Sequence, residues 1–168
     1  MKLSIAAIAT AAAIATAAPA QSRDSEALVS FNAMRPDLAV GLAQAALADC
    51  RSGGYQVAVA VVDRFGQTQV VIRDRYAGAH TVATAIAKAW TAVSFRTTTL
   101  ELDKAIEEGR LSKGIRDIPG ALVLGGGVPV QAAGLVVGGI GISGAPGPDI
   151  DEACANAGIE AIADQLAF

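Results

Sequence analysis

Tyr55-Gln56-Val57-Ala58-Val59-Ala60-Val61-Val62-Asp63-Arg64-Phe65-Gly66 carries a two-residue alternation that runs straight into a turn. Val57, Val59 and Val61 alternate with Ala58, Ala60 and Val62, so both faces are apolar and one of them is small. Such a run predicts a strand over residues 55–63, covered on both sides or tightly on one. Arg64-Phe65-Gly66-Gln67 reads as a hairpin turn with Gly66 at a positive-φ position, followed by a second strand over residues 68–74.

Helices flank this hairpin. Upstream, Pro36 suits a first helical turn, with Asp37 favourable beside the helix N-terminus. Leu38, Leu42, Ala45, Ala46 and Leu47 give that helix an apolar face, and Gly53-Gly54 stops it. Downstream, Val82, Ile86, Ala89, Trp90 and Val93 fall at helical spacing within residues 81–96. Thr98-Thr99-Leu100-Glu101 is a capping-box pattern opening a shorter helix that Gly109 closes, and a loop spans residues 111–120. Strands are expected near residues 121–124, 128–131 and 135–143, separated by Gly125-Gly126-Gly127 and Ala132-Ala133-Gly134. After Pro146-Gly147-Pro148, Asp149 with Glu152 three residues on is expected to cap a last helix reaching about residue 166. The order α-β-β-α-α-β-β-β-α with hairpin-length connections predicts an α+β domain with an antiparallel sheet.

Residues 1–20 read as a signal peptide. Lys2 supplies a short positive start, an Ala-rich apolar run follows, and Ala18-Pro19-Ala20 offers small residues for cleavage before Gln21. The polar Gln21-Ser22-Arg23-Asp24-Ser25 directly after it argues against a membrane anchor. A flexible leader over residues 21–34 and a single domain over residues 35–168 complete the expected organisation, in the periplasm or secreted. Residues 121–148 contain no charge, but eight glycines between residues 121 and 145, with Pro129, divide them into short buried strands rather than a second span.

Sixteen acidic residues against thirteen Lys and Arg give a net charge of −3, which argues against a nucleic-acid partner. In an oxidising compartment the two cysteines, Cys50 and Cys154, favour a disulfide, with free buried thiols as the alternative. They fall near the end of the first helix and the start of the last.

Gly139-Ile140-Gly141-Ile142-Ser143-Gly144 matches GxGxxG, yet too few residues follow it for a returning parallel strand. Close packing against small strand residues is the better reading. Gly141-Ile142-Ser143-Gly144-Ala145 misses a nucleophile elbow by its last glycine, and the only histidine precedes the serine. That histidine, His80, sits just before the long helix, whose positive end favours the neutral, metal-ligating imidazole. One imidazole suffices for haem iron, whereas zinc requires several ligands. Arg73 and Arg75 are close enough in sequence to meet haem propionates, and Tyr76, Trp90 and Phe95 could form an aromatic wall. A surface or capping role is the plainer alternative for His80, as a solvated helix face is for Lys88 and Arg96.

Residues 55–66 resemble the "VAVVDxxG" start of the GlcG/HbpS-like family. Further likeness lies in Ala87-Lys88-Ala89-Trp90-Thr91-Ala92-Val93-Ser94-Phe95-Arg96, in Gly126-Gly127-Val128-Pro129-Val130 and in Val137-Gly138-Gly139-Ile140-Gly141-Ile142-Ser143-Gly144-Ala145. Asp151-Glu152-Ala153-Cys154-Ala155 continues it. The resemblance runs in order over residues 38–162 and implies a profilin-like α-β-α sandwich, homo-oligomers and, in haem-binding and PduO C-terminal members, a haem ligand. It matches Lys88 and Phe95 to the family's lysine and Phe-Arg and puts His80 where histidine-using members are expected to hold a ligand. With Arg73 and Tyr76 added from their closeness in sequence, the expected cofactor site is His80, Arg73, Tyr76, Lys88 and Phe95, with His80 on the iron. Two alternatives stand beside this. One is an enzyme or accessory protein acting on a small organic acid or corrinoid, using a cluster of Asp63, Lys88 and Arg96. The other is an oligomeric interaction module without a cofactor.

Overall fold

The computed structural model describes residues 28–167. The expected signal peptide and most of the expected leader lie outside them. Residues 28–31 carry no regular secondary structure, and the folded unit begins at Asn32.

Helix α1 (Pro36–Ser52) begins with its proline in the first turn and buries Ala39, Leu42, Ala43, Ala46, Leu47 and Cys50. That spacing is one face of a 3.6-residue period. Strands β1 (Ala58–Asp63) and β2 (Thr68–Arg73) form the hairpin, and Asp63 Oδ1 accepts the N–H groups of Phe65 (2.8 Å) and Gln67 (2.9 Å) across its turn. Gly66 has φ +81° and lies under the Trp90 indole, so the expected positive-φ glycine is required twice over.

Helices α2 (Thr81–Phe95) and α3 (Thr99–Glu107) follow. Arg96 ends α2 in the left-handed region at φ 56°, and Thr98 caps α3 by accepting the Glu101 N–H at 3.1 Å. A short 3₁₀ helix (Lys113–Asp117) interrupts the expected loop. Strands β3 (Gly127–Ala132) and β4 (Leu135–Ser143) form a second hairpin, and α4 (Pro148–Ala161) and α5 (Ala163–Leu166) close the chain.

The sheet is antiparallel in the order β2-β1-β4-β3, as an α+β sandwich requires. Val59 and Val61 of β1, with Ile140 and Ile142 of β4, face the main core against α1 and α4. Ala58, Ala60 and Val62 face α2. The small side of β1 therefore lets α2 approach, and Gly139 and Gly141 of β4 do the same. A Cβ on Gly141 would collide with the Ala85 carbonyl and lie 2.6 Å from the Ala89 nitrogen. Gly141→Ala is accordingly expected to cost about 1–3 kcal/mol as α2 is pushed from the sheet. An unchanged thermal midpoint in that variant would contradict this packing.

Two expectations need correction. Residues 121–124 are not a strand, because their amides are taken elsewhere: Leu122 N–H goes to Thr91 Oγ1 at 2.8 Å and Ala121 N–H to the Ile118 carbonyl at 3.0 Å. The last long helix starts at Pro148 with Gly147 as its cap, so Asp149 sits inside the first turn instead of capping it. Among the described residues, no helix is long and apolar enough to cross a membrane.

The Cys50–Cys154 disulfide is formed, with Cα atoms 5.4 Å apart, joining α1 to α4. It resolves in favour of bonding what the residues alone left between a bond and free thiols.

Candidate functional site

His80, Thr84 and Lys88 stand at i, i+4 and i+8 on the first turns of α2, and all three line one cleft of about 730 Å³. The opposite side comes from residues 143–148, where β4 ends and α4 begins. Tyr55 and Tyr76 stand at its rim, and Leu122 and Leu124 add apolar lining. Segment 121–124, displaced from the sheet, thus becomes cleft wall.

His80 occupies the cap position of α2 without a side-chain capping bond, and its ring makes no hydrogen bond within the described residues. The imidazole lies over Gly78, where a Cβ would be 2.7 Å from its Cε1 and 2.9 Å from its Nδ1. A glycine at 78 therefore makes room for the ring.

Lys88 is 1 % exposed. Its ammonium donates to Asp151 Oδ2 at 2.8 Å and to the Ile142 carbonyl at 2.9 Å. Asp151, 4 % exposed, also accepts the Ala145 N–H at 3.0 Å through Oδ1. One ion pair thus ties α2, the end of β4 and the start of α4 together under the cleft. Burial pushes the Asp151 carboxyl above the ordinary range, and the Lys88 ammonium offsets that only in part.

The structure brings together three of the five expected site residues, His80, Tyr76 and Lys88. Arg73 is turned away, its guanidinium donating to the Ala77 carbonyl at 2.6 Å and so holding the turn before His80. Arg75 stacks over Tyr76, 5.8 Å from the ring centre. Phe95 ends α2, about 22 Å along the helix from His80 at 1.5 Å per residue. Trp90 sits in a separate apolar hollow with Ile86 and Pro119. Only Tyr76 of the three expected aromatics reaches the cleft.

Asp63, Lys88 and Arg96 do not meet. Asp63 closes the hairpin turn, Lys88 is committed to Asp151, and Arg96 lines a different hollow with Arg64 and Phe65. In Gly125-Gly126-Gly127 the Gly127 N–H is committed to Thr99 Oγ1 at 2.8 Å. Among the described residues no three His, Cys, Asp or Glu side chains are grouped to hold a metal ion. Asp151 is a polar cleft residue that sequence reasoning missed, and Ser143 one that it weighed only as a nucleophile.

Comparison with known proteins supplies the remaining context. The model of a family described as haem-degrading protein HbpS-like matches residues 34–160. The corrinoid adenosyltransferase PduO of Citrobacter freundii is 38 % identical over 90 residues, 52 % of this chain and 27 % of that protein. Its counterpart in Salmonella typhimurium is 34 % identical over 105 residues, 61 % of this chain and 31 % of that protein. The chain spans less than a third of either curated relative. Among solved structures, a double mutant of Streptomyces reticuli HbpS superposes with a TM-score of 0.75 at 41 % identity, covering 86 % of this chain and 97 % of the other. A PduOC–haem complex superposes with a TM-score of 0.72 at 30 % identity, covering 77 % and 95 %.

Proposed function

The chain belongs to the HbpS-like family, and from that membership we propose that it is a small-ligand-binding protein whose cleft takes haem. The observation that carries this reading is the uncommitted His80 imidazole on the wall of the cleft. A haem brings four ring nitrogens of its own, so a single protein imidazole can complete an iron site that no zinc ion would accept. Apolar lining and an exposed Tyr76 beside His80 suit a flat, largely apolar ring. The haem complex of the related PduOC supports the same reading.

Hemin added to the purified protein is expected to give a shifted Soret band. In His80→Ala the affinity should fall roughly tenfold or more, the scale on which support of a metal ligand acts. Gly78→Ala displaces the ring from its seat without touching its chemistry and should give an intermediate spectrum. A wild-type titration indistinguishable from hemin in buffer rejects haem; identical spectra in wild type and His80→Ala reject the ligand.

We propose also that the protein works outside the cytoplasm. The signal-peptide pattern of residues 1–20 supports this, as does the buried Cys50–Cys154 bond. An intact mass of the native protein beginning at Gln21 is the expected result. Association of copies into a homo-oligomer is part of the same proposal, supported by the apolar hollow of Ile86, Ala87, Trp90 and Pro119 on the outer side of α2. A single-chain mass by light scattering would remove it.

A further inference from the structure

Ser143 is the last residue of β4, held beside Ala58 of β1, and only 5 % of it is exposed. Its side chain nevertheless makes no hydrogen bond within the described residues, and its oxygen is not among those sealed away from the surface. Because Ser143 lines the cleft, that hydroxyl opens into it. A mostly buried hydroxyl without a partner weakens the fold, and a ligand that supplies the partner recovers the loss.

Two further features of the cleft suit a negatively charged acceptor. An ammonium has three N–H groups, and Lys88 commits two of them, to Asp151 and to the Ile142 carbonyl. Helix α2, fifteen residues long, opens on the cleft through His80, Thr81 and Thr84 with no side-chain cap and no acidic residue in its first turn. The Thr81 N–H goes to the Gly78 carbonyl at 3.0 Å and the Thr84 N–H to the His80 carbonyl at 3.1 Å, so the helix contributes its positive end rather than free N–H groups at these residues. Helix α4 differs, since Asp149 and Asp151 in its first turn answer its positive end from within.

From this convergence we infer that the inner end of the cleft is a carboxylate site, with the Ser143 hydroxyl as its recognising donor. A carboxylate is acceptor-only, which matches a set of unused donors. The Lys88 charge is balanced by Asp151, so the site favours a singly charged group over a doubly charged phosphate. This rests on the haem reading for its natural ligand, where the carboxylate is a propionate.

The test compares hemin with hemin dimethyl ester, which keeps the iron and ring but has no carboxylate, on wild type and on Ser143→Ala. That variant removes a hydroxyl with no internal bond, so the fold should persist. Wild type is expected to prefer the acid about tenfold, the scale of one hydrogen bond to a charged group. In Ser143→Ala that preference should fall several-fold while affinity for the ester stays within about twofold. An undiminished preference in the variant, or none in wild type, overturns the inference while leaving haem binding intact. If neither compound binds, the haem reading alone fails, and sodium propionate then decides the carboxylate site. It should shift the Gly144 amide resonance in wild type, beyond a sodium chloride control, and not in Ser143→Ala; equal shifts in both overturn it.

Discussion

Asp151→Ala is expected to lower the free energy of unfolding by about 3–5 kcal/mol, the scale for breaking a buried ion pair from one side. The variant would leave the Lys88 ammonium with the Ile142 carbonyl alone, and the Ala145 N–H would lose its acceptor. Lys88→Met should be costly for the mirror reason, since a desolvated carboxylate remains. The pair is not thereby a large net stabiliser. Burial outweighs Lys88 in setting the direction of the Asp151 carboxyl, so the attraction does not recover the whole cost of taking both charges from water. Lys88→Met with Asp151→Asn removes both charges and keeps an oxygen for the Ala145 N–H. That double variant should therefore be destabilised by less than the sum of Lys88→Met and Asp151→Asn made singly, with a coupling of about 1–3 kcal/mol. Urea unfolding of wild type, Lys88→Met, Asp151→Asn and the double variant measures this. Simple additivity would mean that Lys88 and Asp151 do not act as a pair, and the account of the cleft floor would fall with it.

The same two residues show where sequence reading stops. Strand β1, its turn and α2 were legible because their signals are local: a two-residue alternation, a glycine at a turn, apolar residues at helical spacing. The GxGxxG run was legible too, as small residues under a closely packed helix, and Gly139 and Gly141 lie against the backbone of α2. Lys88 read as a solvated helix face because charge is the stronger local cue. Its neighbours Ala85, Ala89, Thr91 and Ala92 are all buried, and that run of small residues was the available hint. Its partner lies 63 residues away, and no local pattern joins the two. Residues 121–124 misled for a related reason. Their apolar composition fits a strand, but the Thr91 hydroxyl on α2 captures the Leu122 amide, and a tertiary hydrogen bond overrides the propensity. Arg73 was placed near His80 correctly along the chain, yet the carbonyl it meets is that of Ala77. Ser143 was weighed only as a nucleophile, and the want of an ordered histidine and acid hid its plainer use as a donor.

Removing the disulfide should have the other large effect, and it should act differently. Cys50 and Cys154 are 104 residues apart, so their bond closes most of the folded unit into one loop. In the chain-entropy account a loop of that length stabilises by about 4–5 kcal/mol, by restricting the unfolded chain. Cys50→Ala with Cys154→Ala is thus expected to lose about that much, and reduction with a thiol should bring wild type to a similar midpoint once the buried bond is reached. The bond does not line the cleft, though Asp151 lies one turn before Cys154 on α4. If the stabilisation resides in the unfolded chain, the native cleft is unchanged by its loss. Hemin affinity of the cysteine-free variant should then stay within about twofold of wild type under conditions where it is folded, despite the lowered stability. The Lys88–Asp151 variants offer the contrast, because they disturb the floor itself and should lose affinity along with stability. A cysteine-free protein as stable as wild type would reject the entropic role. One that remained folded but bound hemin poorly would show instead that the bond holds α4, and with it residues 143–148, in place around the ligand.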